Sequence, residues 1–228
     1  PVVMPVPTRT VDSPKSDIFA ALTVYADGLE CPRDLEFDPT GRLLVSLPCR
    51  GEVVSLPDGK TVVSKLKRPH GLAFSGSSMY VAQEDKVTVD GKKIIDLPKG
   101  GNHTTRSILI KGEKIYVSSG SSCNECIEKD SRRAAVRSAN LDGSDFKPYA
   151  TGLRNSVFLA EHEGQIWATE MGRDWLGNDL PPDEVNILTE GKNYGWPSCY
   201  GDKVHDDNFD KRGCAETVGS YVDLPAHS

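Results

Sequence analysis

The chain has 228 residues, within the range of one domain, and carries 27 Lys and Arg against 33 Asp and Glu, a net charge of -6. That balance argues against a nucleic-acid binder, because phosphate contacts need a basic face. Mean hydropathy is -0.41, and no apolar run approaches the roughly 20 residues of a membrane helix, so no membrane span is expected.

Residues 1–15 are rich in Pro, Thr and Ser and predict a flexible arm, with one β-rich domain over 16–228. Fifteen Pro and 21 Gly predict many turns and little long helix. A repeat follows the arm. Leu35-Glu36-Phe37 turns through Pro-Thr-Gly into Leu43-Leu44-Val45-Ser46. Leu72-Ala73-Phe74 pairs in the same way with Met79-Tyr80-Val81-Ala82, and Ile108-Leu109-Ile110 with Ile115-Tyr116-Val117-Ser118. The fourth copy is Val157-Phe158-Leu159 with Ile166-Trp167-Ala168-Thr169. The first three hairpins are each followed by two more strand candidates, at 53–56 and 61–64, at 86–89 and 93–96, and at 133–139 and 146–150. Four short strands per unit at roughly 40 residues per unit is the pattern of a β-propeller. Apolar alternation at period two favours strands over helices. A β-sandwich would leave the period unexplained. Four units are visible, and 219–224 reads as the opening strand of a fifth. The chain begins at Pro1 and stops at Pro225-Ala226-His227-Ser228, so a trimmed or C-terminally incomplete propeller of four to five blades is expected.

Six cysteines form three sequence-local pairs, Cys31/Cys49, Cys123/Cys126 and Cys199/Cys214. No βαβ pattern, second CxxC or following His surrounds Cys123-x-x-Cys126, which weakens thioredoxin, structural-zinc and haem readings. Disulfides in an exported protein are the favoured reading, placing the chain in the periplasm or outside the cell. Six cysteines nevertheless allow fifteen connectivities.

The residues just before each first strand are Cys31-Pro32-Arg33-Asp34, Arg68-Pro69-His70-Gly71, Asn102-His103-Thr104-Thr105-Arg106 and Gly152-Leu153-Arg154-Asn155. Equivalent positions in a ring converge at one end of it. His103 suits a general base, since imidazole titrates near neutral pH, or a turn histidine bonded to backbone. Arg154 suits an anion or developing oxyanion, or an inter-blade ion pair. Asn155 either shares that work or caps a turn. His70 reads as structural, and His162 and His205 as solvated. Asp174, Asp179, Asp183 and Glu184 offer hard oxygen ligands of the kind Ca²⁺ takes, or a solvated acidic loop.

The segments GGNHTTRSI (100–108), KIYVSSGSSCNEC (114–126), TGLRNSVF (151–158), TEMGRD (169–174) and PDEVNILTEGKNYGWP (182–197) resemble the soluble pyrroloquinoline-quinone-dependent sugar dehydrogenases, the glucose/sorbosone and aldose sugar dehydrogenase family. They occur in the family's order. The resemblance implies a six-bladed propeller holding pyrroloquinoline quinone (PQQ) and Ca²⁺ on one face. It implies oxidation of a sugar's anomeric hydroxyl by hydride transfer to the quinone, with an external electron acceptor as partner. His103 would then be the base, Arg154 would stabilise charge on the quinone oxygen, and Asn155, Met171 and Gly172 would lie at the cofactor. The carbonyls of Gly172 and Arg173 would bind Ca²⁺, and Glu184 and Tyr194 match metal-associated family positions. Arg173 stands where the glucose enzymes have proline, Asn102 where they have aspartate, and Met171 where they have a polar residue. Ser121 takes the place of the carboxylate that orients their base. These departures lean towards a sorbosone-dehydrogenase-like branch. The family's last blades, with the cations that clamp the quinone's carboxylates, are not in this chain, so weak quinone binding is expected. Two rival readings are a Ca²⁺-dependent lactonase-type propeller hydrolase and a binding propeller with a degraded site.

Overall fold

The computed structural model describes residues 23–209 and 213–226; the expected arm at 1–15 lies outside them. The architecture is all-β, with four small antiparallel sheets arranged as the blades of a propeller. The first blade is β1 (Leu35–Phe37), β2 (Leu43–Leu47), β3 (Glu52–Ser55) and β4 (Lys60–Val63). The second is β5 (Leu72–Ser75), β6 (Ser78–Ala82), β7 (Lys86–Val89) and β8 (Lys92–Asp96). The third is β9 (Ile108–Lys111), β10 (Lys114–Ser119), β11 (Ala135–Asn140) and β12 (Lys147–Thr151). The fourth begins with β13 (Leu159–His162), β14 (Gln165–Glu170) and β15 (Asp183–Leu188).

Each blade starts as a tight hairpin whose turn is written in the sequence. Between β1 and β2 the Asp38 carboxylate accepts from the backbone N–H groups of Thr40 at 2.9 Å and Arg42 at 3.0 Å. Between β9 and β10 the chain reverses at Gly112, whose φ of 59° is costly for any residue with a Cβ. The blades pack face to face through buried apolar side chains of neighbouring sheets. Leu44 and Val53 of the first blade meet Leu72 and Val81 of the second. Ala82, Val87 and Ile95 meet Ile108, Ile115 and Val117 of the third. Val136 and Ala150 meet Ile166, Ala168 and Leu188 of the fourth. One apolar layer per blade boundary thus sets the ring geometry. The inner strands β1, β5, β9 and β13 lie against one another in that order and line a channel of about 320 Å³.

Three features differ from expectation or extend it. The strand at the C-terminal end, Val222–Leu224, does not open a fifth blade. It pairs antiparallel with β15, Asp183 opposite Leu224, and completes the fourth. Its delay arises from a long excursion after β15. There β16 (Lys192–Asn193) pairs in parallel with β12 of the third blade, and β17 (Cys199–Tyr200) with β18 (Val204–His205) forms a small hairpin; Val222–Leu224 is therefore β19. The inner strand of the fourth blade begins at Leu159, later than the apolar run at 157, because Asn155 and Ser156 are bound to the Glu170 side chain instead. All three sequence-local cysteine pairs are disulfides, Cys31–Cys49, Cys123–Cys126 and Cys199–Cys214. Among the described residues no helix is long and apolar enough to cross a membrane.

Candidate active site

In an antiparallel blade the entry to the first strand and the exit from the second lie at one end. The loops entering β9 and β13 and leaving β10 and β14 therefore share a rim. Backbone bonds join them: Asn102 N–H to Ser122 O at 3.0 Å, His103 N–H to Ser121 O at 3.2 Å, and Ser121 N–H to Arg154 O at 2.7 Å. Below them Arg106 is fully buried and donates to the carbonyls of His103 and Thr105, both at 2.9 Å, and Pro98 at 2.8 Å. Its guanidinium thus holds the shape of the loop rather than facing a ligand.

Gly120 brings His103 and Asn155 together. A Cβ on it would lie 2.5 Å from His103 Cβ and 2.7 Å from Asn155 Oδ1, closer than real Cβ contacts come. Only glycine permits this approach. Ser121 follows, with its Oγ 2.8 Å from His103 Nδ1. The same hydroxyl donates its hydrogen to Cys123 O at 2.6 Å, so towards the imidazole it acts as an acceptor. Nδ1 therefore carries the hydrogen, and Nε2 presents a lone pair, the tautomer a base requires. Burial, and secondarily the Arg154 charge, lower the His103 pKa to about 4. The ring is neutral at physiological pH.

Arg154 is buried beside it. Its Nε donates to Asn124 O at 2.8 Å, and Nη2 donates to Asn124 Oδ1 at 2.7 Å. Nη1 donates to Gly172 O at 2.8 Å and to Met171 O at 3.3 Å. Nη2 also faces Asp174 Oδ2 at 3.5 Å. Asn155 Nδ2 contacts Met171 Sδ at 3.3 Å. Gly172 N–H donates to Asp183 Oδ1 at 2.9 Å, fixing the turn that carries Met171 and Gly172. Arg173 is buried, pairing with Asp206 through Nε at 2.5 Å and with Glu125 through Nη1 at 2.8 Å.

A second carboxyl layer supports this rim. Glu170 Oε1 accepts from Asn155 N–H at 2.7 Å, and Oε2 accepts from Ser156 Oγ at 2.9 Å. Burial, then the neighbouring Glu184, raise its pKa to about 8. Glu184, opposite Glu170 in the β14–β15 register, is raised by burial as well; its Oε1 accepts from Gly201 N–H and its Oε2 from Asn186 Nδ2. Tyr194 Oη donates to Ile187 O at 2.6 Å and accepts from Thr189 N–H at 2.9 Å, bracing the turn after β15.

The other histidines among the described residues lie apart. His70 is buried, with burial lowering its pKa to about 4. His162 is exposed in its hairpin turn. His205 is not a solvated loop residue: its Nδ1 lies 3.1 Å from Ser198 O and its Nε2 is buried, because Cys199–Cys214 folds the segment inward.

The donor set suits a neutral base acting on a hydroxyl at His103. It does not suit a quinone and Ca²⁺ in the arrangement described. The Gly172 carbonyl already faces the Arg154 guanidinium, whose five N–H groups are all engaged. The cavity lined by Arg154, Met171, Gly172 and Arg173 holds only about 20 Å³, room for one water and not for a ring system. Sequence reasoning missed Gly120, Asn124 and Glu170. Asn124 was legible only as part of the CxxC loop, and Glu170 only as a member of the TEMGRD segment.

The family model described as TrAA12-like matches residues 19–222. Among curated proteins, the chain is 27% identical to an uncharacterized protein of Borreliella burgdorferi, over 87% of this chain and 60% of that one. It is also 27% identical to a pyrroloquinoline quinone-dependent sugar dehydrogenase of Hypocrea jecorina, over 78% of this chain and 55% of the relative. The chain thus spans little more than half the length of these relatives. Among solved structures, the Trichoderma reesei family AA12 carbohydrate-active enzyme superposes with a TM-score of 0.75 at 24% identity, covering 90% of this chain and 70% of that one. The PQQ domain of Coprinopsis cinerea pyranose dehydrogenase superposes with a TM-score of 0.69 at 20% identity, covering 88% and 66%. These likenesses establish the shared fold.

Proposed function

Because this chain belongs to the TrAA12-like family, we propose that it is the catalytic propeller of a sugar oxidoreductase with an external electron acceptor, to which PQQ and Ca²⁺ could bind as cofactors only once the Arg154–Gly172 contact has opened. The observation that carries this reading is the His103–Ser121–Cys123 chain of hydrogen bonds, which leaves an unprotonated Nε2 beside Arg154. His103 takes the proton of an anomeric hydroxyl or of a hydrated aldehyde. A neutral imidazole held in one tautomer suits that task. Loss of the carbon-bound hydrogen with its electron pair completes a two-electron oxidation, and the quinone named for the Hypocrea relative belongs to the class of acceptor required. Arg154 supplies positive charge next to the base, with Asn155 its neighbour. Met171, Gly172 and Arg173 border the same site, and Glu184 and Tyr194 support it from the β15 side. The Arg154–Gly172 contact must open before a quinone or Ca²⁺ reaches these residues, so no step is assigned to either. The three disulfides suit a location outside the cytoplasm, in the periplasm or secreted.

The test is dye reduction by the purified protein with PQQ, Ca²⁺ and a panel of aldoses. Sugar-dependent reduction that disappears in His103→Ala supports the reading. Turnover unchanged in His103→Ala removes His103 as the base.

A further inference from the structure

We propose that Trp175 is a stacking platform for a pyranose ring, which makes the loop at 174–178 a second saccharide subsite beside the rim that carries His103 and Arg154. The inference rests on the reading of this chain as a sugar oxidoreductase and extends it to substrates of more than one ring.

Trp175 is the most exposed large apolar side chain among the described residues, at 89%. Single exposed apolar residues are ordinary on a protein surface, but this one is held against a backbone preference. Its φ of 67° lies in the left-handed region, which is unfavourable for a bulky residue with a Cβ. Such conformations persist where the surroundings impose them, and they cluster at ligand sites. The residues before Trp175 supply the constraint. Arg173 is buried and bound to Asp206 and Glu125. One side chain holds the backbone of Asp174 at two points, its N–H donating to Asn124 Oδ1 at 2.9 Å and its O accepting from Asn124 Nδ2 at 3.1 Å. Asn124 sits in the loop closed by Cys123–Cys126. The indole is thus carried on a fixed stem and left open to solvent.

Beside it is a cavity of about 380 Å³, lined by Asp174, Trp175, Leu176, Gly177 and Asn178. That volume suits a small ligand. The lining is mixed. The indole and Leu176 are apolar, and Asp174 and Asn178 carry polar side chains. A pyranose has the same two characters, a face of C–H bonds that packs on an aromatic ring and an edge of hydroxyls that needs donors and acceptors. A protein partner would call for an apolar surround to the indole, whereas residues 177–179 are Gly-Asn-Asp and exposed. Position in the fold points the same way. Asp174, next to the indole in the chain, faces Arg154 Nη2 at 3.5 Å. The platform therefore stands at the edge of the candidate active site, where a ring linked to the reacting one would lie.

Acrylamide quenching of tryptophan fluorescence tests this without turnover or cofactor. The chain has three tryptophans, and Trp167 and Trp196 are half-buried, so Trp175 dominates the quenching. Cellotetraose or maltotetraose should lower the quenching constant of the wild type towards that of Trp175→Gly. Saturation-transfer NMR should show tetrasaccharide binding weakened about tenfold in Trp175→Gly and Trp175→Ala, the scale of one lost aromatic partner. Trp175→Tyr, which keeps an aromatic face, should recover part of it. Glycine suits the φ of 67°, so Trp175→Gly should melt no lower than Trp175→Ala. Binding as tight in Trp175→Gly as in the wild type overturns the subsite, and so does the absence of protection by both tetrasaccharides. Melting temperatures far below the wild type in both variants would make Trp175 a structural residue instead. If a tetrasaccharide binds through Trp175 and no sugar supports dye reduction, the subsite stands and the oxidoreductase reading falls. Dye reduction that needs His103, without binding that depends on Trp175, keeps that reading and removes the subsite.

Discussion

Ser121 Oγ stands 2.8 Å from His103 Nδ1 while giving its own hydrogen to Cys123 O. The direction of both hydrogen bonds follows from that arrangement, and with it the tautomer of His103. Ser121→Ala removes one neutral hydrogen bond, worth about 1 kcal/mol, and leaves Ser121 O at 3.3 Å as a weaker acceptor. Sugar-dependent turnover should fall about fivefold. His103→Ala should cost on the order of 100-fold or more, the usual scale of a general base. Steady-state rates of the two variants check the difference.

The His103 pKa, lowered to about 4 by burial and then by Arg154, sets a pH dependence. The folded value lies below the unfolded one near 6.5, so the unfolded chain binds the extra proton first as pH falls. The contribution to stability is complete above about 6.5 and is lost as the pH drops to about 4. The acid limb of kcat/KM should fall near pH 4, not 6.5. Arg154→Met removes a cause of the depression, so the imidazole titration followed by NMR should move upward.

Glu170 works in the opposite sense. Its folded pKa is raised to about 8 from 4.5. The native state keeps a proton that the unfolded chain releases, so this contribution is present below about 4.5 and is lost as pH rises to about 8. Glu170→Gln, which mimics the protonated form, should flatten the fall in melting temperature across that window. A melting-temperature series against pH reads it directly. A slope equal to that of the wild type would mean that Glu170 is ionised in the folded protein.

Gly120→Ala places a Cβ against His103 and Asn155 at once. Overpacking of this kind costs about 1–3 kcal/mol. Urea unfolding should show that loss, and sugar-dependent turnover should fall further than Ser121→Ala makes it fall, because both neighbours must move. Retained activity with full stability would mean that the rim yields at no cost.

Much of the fold was legible in the residues. The hairpins at 35, 72 and 108 recur with turn residues and alternating apolar positions, and each found its four-stranded blade. The fourth blade was harder. Its apolar run at 157 belongs partly to the loop, because Glu170 draws Asn155 and Ser156 out of the strand. Its last strand arrives only after the excursion through β16, β17 and β18, where the repeat period no longer applies. In the site, His103, Arg154 and Asn155 were legible as polar residues ahead of inner strands. Ser121 was legible by its place after β10. Asn124 carried no such mark, since its grip on Arg154 depends on the path of the Cys123–Cys126 loop.

By itself the sequence determined the blade unit, the turn positions and the end of the ring where polar residues gather, while the choice among fifteen cysteine connectivities was left to the structure. These follow from local chemistry, with alternation at period two, turn-forming residues and short loops. The tertiary structure alone decided that Val222–Leu224 closes the fourth blade, that Arg106 and Arg173 are buried structural cations, and that every donor of Arg154 is engaged. Those outcomes depend on contacts between segments far apart in the chain. Burial makes them binding, because a buried guanidinium or carboxyl must find its partners wherever the fold brings them.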